Sequence, residues 1–115
     1  MKIVSLAALL GILLASNGAK AAEVHQCAAD AVKQAGNLME FYLRSRDGTV
    51  DDRMEVEDHA RYIGKVSAIR GKWRYDVLEV LGSVYKASYR MHIIYAVVNG
   101  ECTMMGEEIL EDAIL

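Results

Sequence analysis

Residues 95–111 read YAVVNGECTMMGEEILE: an apolar run, an Asn-Gly pair, a cysteine two positions further on, and a second, half-apolar run. Asn99-Gly100 predicts a two-residue type I′ hairpin, because both central residues of that turn need positive φ, which Gly adopts freely and Asn tolerates. The turn sets a register. Val98 faces Glu101, Val97 faces Cys102, Tyr95 faces Met104, His92 faces Glu107 and Tyr89 faces Leu110. Side chains alternate along a strand, so Tyr89, Met91, Ile93, Tyr95 and Val97 share one apolar face with Cys102 and Met104. The reverse carries Arg90, His92, Thr103 and Glu107. This alternation predicts that the first face is the core and that Cys102 points into it.

Working back along the chain, ARYIGKVSAIR (60–70), WRYDVLEVLGSVYK (73–86), YRMHIIYAVVN (89–99) and ECTMMGEEILED (101–112) are rich in β-branched and aromatic residues. Gly71 and Asn99-Gly100 separate some of them, as strands of a meander require. The connection between the second and third runs has two readings. A turn at Lys86-Ala87-Ser88 aligns Leu78, Val80 and Val84 with Tyr95, Ile93 and Met91. A turn at Gly82-Ser83 pairs Glu79 with Lys86. Both keep Leu78 and Val80 on the core side. Residues 50–59, VDDRMEVEDH, are acidic and read as a short edge strand or a loop.

Residues 23–45 change period. Val24, Ala28, Ala31, Ala35, Leu38 and Tyr42 recur at steps of three and four, one apolar stripe of a helix that also turns Cys27 inward. Glu40 and Arg44 form a favourable i,i+4 pair, and Asp47-Gly48 is a stop signal. Gly36 reads as a place of close approach to the sheet. The expected fold class is therefore α+β: one N-terminal helix packed on a four-stranded antiparallel meander sheet.

The chain opens MKIVSLAALLGILLASNGAKAAEV. A basic start at Lys2, an uncharged apolar run from Ile3 to Ala15, a break at Ser16-Asn17-Gly18 and small residues at Ala19 and Ala21 form the layout of a secretory signal peptide. The run of about 13 residues falls short of the ~20 that span a membrane. The expected organisation is a signal peptide over residues 1–21 and a single domain over residues 22–115, exported to the periplasm or secreted, with no membrane span after cleavage. Lys2 and Lys20 are the only charges removed, so 13 basic residues fall to 11 against 16 acids, a formal charge of −5. Nucleic-acid binding is not expected of such a balance, since neutralising phosphates takes clustered Lys and Arg. Both cysteines, Cys27 and Cys102, lie in the mature part, and two thiols in an oxidising compartment most simply pair. That bridge would clamp the first turn of the helix to the start of the last strand.

A single helix covers one side of a sheet. The other side would carry Tyr75, Val77, Leu81, Tyr85, Ile94, Ala96, Val98, Met105 and Ile109, interleaved with Glu79, Arg90, His92 and Glu107. That is more apolar than solvation requires, and apolar patches beyond a few hundred Å² mark interaction sites. The candidate partner-binding residues are Tyr75, Val77, Leu81, Tyr85, Arg90, His92, Ile94, Val98, Met105, Glu107 and Ile109, for a protein partner or a second copy in a homodimer. Sheet curvature, or the 50–59 segment folded across, is the alternative fate of this side.

No arrangement for catalysis stands out: there is no nucleophile elbow, no C-x-x-C and no phosphate-cradling glycine loop. His25, His59 and His92 are scattered, and RDGTVDDRMEVED places Gly48 wrongly for a calcium loop. His25 would stand third in a chain cleaved after Ala22, a position that suits Cu(II). No cofactor and no metal is otherwise expected. A helix on an antiparallel sheet with a disulfide is similar in outline to cystatin-like inhibitors, but their Q-x-V-x-G loop is absent, EVLGS (79–83) lacking its glutamine, so their function is not carried over. The expected function is a small exported non-enzymatic binding protein acting through its open sheet face, in its most specific form an inhibitor or immunity-type protein. The rivals are a carrier of a small ligand or metal and a dimeric structural envelope component.

Overall fold

The computed structural model describes residues 23–113; the expected signal peptide lies outside them. The Asn-Gly hairpin is present. Asn99 and Gly100 take φ of 55° and 80°, and Val98 pairs with Glu101, Val97 with Cys102 and Tyr95 with Met104. The two strands it joins, β4 (Ala87–Val98) and β5 (Glu101–Ala113), follow β3 (Arg74–Val84), and all three run antiparallel. The outermost row is broken into β1 (Glu55–Val56) and β2 (Arg61–Ser67), which pair with successive parts of β3's outer edge. The acidic 50–59 segment thus contributes a two-residue edge strand. One helix, α1 (Ala28–Asp47), lies across the sheet, so the α+β meander read from the sequence is the fold.

The core lies between that helix and one side of the sheet. Ala28, Ala31, Ala35, Met39 and Leu43 supply the buried stripe of α1. They meet Leu78, Val80 and Val84 of β3 and Tyr89, Met91, Ile93 and Tyr95 of β4. The alanines let the helix axis come close, and Gly82 does the same from the sheet: a Cβ there would stand 2.6 Å from Met39 Sδ. Gly36, in contrast, has no heavy atom within 4 Å of its would-be Cβ, so it marks no close approach.

The expected stripe needs a second correction. The helix starts after Cys27, and residues 23–25 form an arm, leaving Val24 exposed outside the helix. Its end is as expected: Gly48 at φ 81° donates its N–H to the Arg44 carbonyl.

Both ends of α1 are fastened. Cys27 and Cys102 form a disulfide with their Cα atoms 5.8 Å apart, joining the helix start to β5. Nearby, the Tyr95 hydroxyl donates to Asp30 Oδ2 at 2.6 Å, and burial, then that contact, pushes the phenol's pKa well up. At the far end Arg46 and Tyr42 both donate to Glu111 Oε1, at 2.7 and 3.1 Å.

Two registers differ from expectation. The β3–β4 turn is Tyr85-Lys86, with Val84 opposite Ala87 and Tyr85 at φ 48°. Leu78 consequently pairs with Ile93, and Val80 with Met91, a shift of two residues from the first reading that leaves every face unchanged. In β5 the ladder slips between Ile94 and Tyr95, where Met105 is the extra residue. Beyond this bulge the parity of β5 inverts. His92 faces Glu108 instead of Glu107, and Tyr89 faces Glu111 instead of Leu110.

Candidate interaction surface

No element among the described residues packs on the second side of the sheet. It is built by alternation from Tyr75, Val77, Glu79 and Leu81 of β3 and Arg90, His92, Ile94, Ala96 and Val98 of β4. The bulge decides what β5 adds. Glu108, Leu110 and Asp112 oppose His92, Arg90 and Ser88 and belong to this side. Glu107 and Ile109, expected here, oppose Ile93 and Met91 and sit on the helix side, where Ile109 packs against the core. Met105 is half-exposed at the bulge itself. Tyr85 stands in the turn with the Arg53 guanidinium 4.5 Å over its ring. Of the eleven candidates, then, Tyr75, Val77, Leu81, Arg90, His92, Ile94 and Val98 share the surface, Met105 stands at the bulge beside Gly106, and Tyr85, Glu107 and Ile109 lie elsewhere.

A row of charge crosses this surface from strand to strand. Arg61 on β2 donates to Glu57 and Glu79, at 3.1 and 3.2 Å. Glu79 accepts from His92 Nε2 at 2.9 Å, and Glu108 accepts from His92 Nδ1 at 2.7 Å. Both ring nitrogens therefore face carboxylates, an arrangement that the imidazolium satisfies fully because only it donates twice. Burial alone would lower the His92 pKa; the bonds to Glu79 and Glu108 outweigh it and raise the value above the ordinary imidazole range. Hydrogen bonding from His92, then from Arg61, holds Glu79 below its ordinary value against the opposing effect of burial. Arg90 and Asp112 form a two-pronged pair one rung along, both bonds at 3.1 Å. Apolar side chains lie on either side of the row. Val77 is only 9% exposed there, Ile94 and Leu81 are half-buried, and Val98 and Leu110 are exposed.

Sequence reasoning reached His92 and Glu79 but missed Glu108, Asp112 and Arg61. The first two sit beyond a bulge whose one local signal is Gly106, a glycine inside the strand directly after the extra residue. Arg61 needed the register of a strand row whose interruption at residues 57–60 breaks the pattern.

Of the remaining histidines, His25 fastens the arm before α1 to the sheet. His25 Nδ1 accepts the Cys27 N–H at 3.0 Å, which fixes the tautomer so that Nε2 donates to Asp76 at 2.8 Å. The ring stacks on Tyr62, and Lys65 makes an ion pair with Asp76. With both nitrogens engaged, His25 has none left for a substrate or a metal ion. Burial would raise the Asp76 pKa, but the bonds from Lys65 and His25 keep it below the carboxylate norm. His59 is exposed beside Asp58 and Glu57. Among the described residues no group of three His, Cys, Asp or Glu is placed to hold a metal ion, and no helix is long and apolar enough to cross a membrane. Comparison with protein-family models, curated proteins and solved structures returns no significant match for this chain.

Proposed function

We propose that this is an exported, non-enzymatic binding protein that holds another protein against the uncovered side of its sheet, in its most specific form an inhibitor or immunity-type protein. The observation that carries this reading is the make-up of that side. Leu81, Ile94, Val98 and Leu110 flank a charge row whose members already satisfy one another. A partner docking there removes apolar surface from water without stranding charges, because the Arg61–Glu79–His92–Glu108 contacts stay in place beneath it. Export is supported by the leader-like start of the sequence and by the Cys27–Cys102 bridge, which an oxidising compartment preserves.

Ile94→Glu places an unpaired carboxylate in the middle of the surface and leaves the core face untouched. The expected result is loss of partner capture at least tenfold, with an unchanged unfolding midpoint within about 1 kcal/mol. Undiminished capture would remove this surface from consideration.

A carrier role is the second reading, and one feature favours it. A groove of about 800 Å³ runs between the start of α1 and residues 58–62, with Ala28, Val32 and Tyr62 on its walls. Its volume suits a small apolar ligand. Binding of an apolar fluorescent dye, abolished by Val32→Glu and unaffected by Ile94→Glu, is the result expected of a carrier.

A further inference from the structure

The tip of the β2–β3 hairpin, residues 68–73 (AIRGKW), is unlike the rest of the molecule. The Ala68 N–H donates to the Trp73 carbonyl at 2.9 Å and closes the loop, while Gly71 at φ +81° takes a conformation that a side chain would strain. Strand β4 begins pairing with β3 only at Asp76, so the tip stands free of β4, whose own hairpin to β5 continues to Asn99-Gly100 at the same end. Ile69 is fully exposed and Trp73, the chain's one tryptophan, is 60% exposed. Arg70, Lys72 and Arg74 alternate with them, and among the described residues none of the three has a carboxylate partner. The other cations without one, Lys33 and Lys86, stand singly on the helix and in the opposite turn. No acidic residue lies between Asp58 and Asp76, and Asp76 is paired with Lys65 and takes a hydrogen bond from His25.

We propose that this tip docks the protein onto an anionic lipid surface. Ile69 and Trp73 enter the boundary between headgroups and acyl chains, and Arg70, Lys72 and Arg74 meet the lipid phosphates. Three features point to lipid. An indole and an aliphatic side chain on a convex turn are the pair that settles at a membrane interface, the first for its amphipathic ring and the second as a wedge. Three adjacent cations supply the attraction to anionic lipid. The acidic remainder of the chain, Glu23 and Glu101 at the same end included, is repelled by that surface, so the molecule is oriented tip first and shallowly. An acidic groove on a protein offers the same charge. The tip, however, brings no second contact surface to such a groove, only six residues on a narrow turn. Docking this way leaves the uncovered side of the sheet free and does not depend on the function proposed for it.

Trp73 makes the test direct, since its emission reports the tip alone. The disulfide-bonded protein is titrated with vesicles of phosphatidylcholine, and with vesicles of phosphatidylcholine and phosphatidylglycerol at three to one. The expected result is a blue shift and co-sedimentation with the anionic vesicles only, both suppressed as salt rises. Arg70→Ser and Lys72→Ser each weaken binding about fivefold. Ile69→Ser weakens it about tenfold, and Ile94→Glu leaves it unchanged. No binding to the anionic vesicles, equal binding to both, or binding without a blue shift would overturn the proposal. An acidic protein groove would then be the surface that the tip fits.

Discussion

Gly82 and His92 show how single residues set this structure. Gly82 sits near the end of β3 beneath the helix, and an added Cβ would meet Met39 Sδ at 2.6 Å, Met91 Cε at 3.0 Å and the Glu55 carbonyl oxygen at 3.2 Å. The methionines can bend away, whereas the carbonyl belongs to the main chain of β1. Gly82→Ala is therefore expected to destabilise the fold by about 1–3 kcal/mol in urea unfolding. From the sequence alone this glycine was a candidate turn, because its use is spatial and Met39 is far away in the chain. His92 was legible as a polar residue opposite an acid, though the acid is Glu108. The bulge at Met105 has one trace in the residue pattern, the strand-interior Gly106 beside it, which a simple alternation of faces passes over.

The sign of the His92 effect on stability follows from its raised folded-state pKa. The stabilisation is fully present below the ordinary imidazole value of about 6.5 and is lost as pH rises through the higher folded value. Glu79, held below its ordinary value, works in the opposite sense: its contribution is present above that value and fades as pH falls through the folded one. The row is most stabilising between the two. His92→Gln is expected to flatten the loss of stability on the alkaline side, as urea midpoints measured from about pH 5 to pH 9 would show.

At the scale of elements, the helix and the last hairpin were the most readable parts. A 3.6-residue stripe and an Asn-Gly pair are local codes, and each element formed close to where its code placed it. The helix start was not readable. Val24 continues the apolar stripe upstream of Ala28, but His25 takes the Cys27 N–H and holds the arm against Asp76 instead. The disulfide fixes this end of the helix and closes a loop spanning a sequence separation of 75 residues. Cys102→Ser, with Cys27→Ser to avoid a stray thiol, is expected to lower stability by about 2–5 kcal/mol. Calorimetry with and without reductant checks this: the wild-type protein should shift on reduction and the double variant should not. Reduction should also release the arm before the Glu111 clamp at the other end, seen as faster amide exchange over residues 25–31 than over 39–46.

For the whole molecule, the uncovered side of the sheet was foreseen by counting: one helix cannot cover two faces. Its membership was read well on β3 and β4, where alternation runs unbroken, and poorly on β5 beyond Met105. The basic, apolar hairpin tip went unseen because residues 60–70 and 73–86 read as continuous strands, although β2 stops at Ser67. Two separate surfaces result, a broad one with its charges internally paired and a narrow one whose charges are free.

A photoreactive amino acid installed at Ile94, and for comparison at the exposed Phe41 of the helix, tests the central claim most directly. After irradiation of cells producing each protein at native level, the account expects one discrete protein adduct from position 94 and none from position 41. Adducts of the same partner from position 41 alone, or none from position 94, would contradict it.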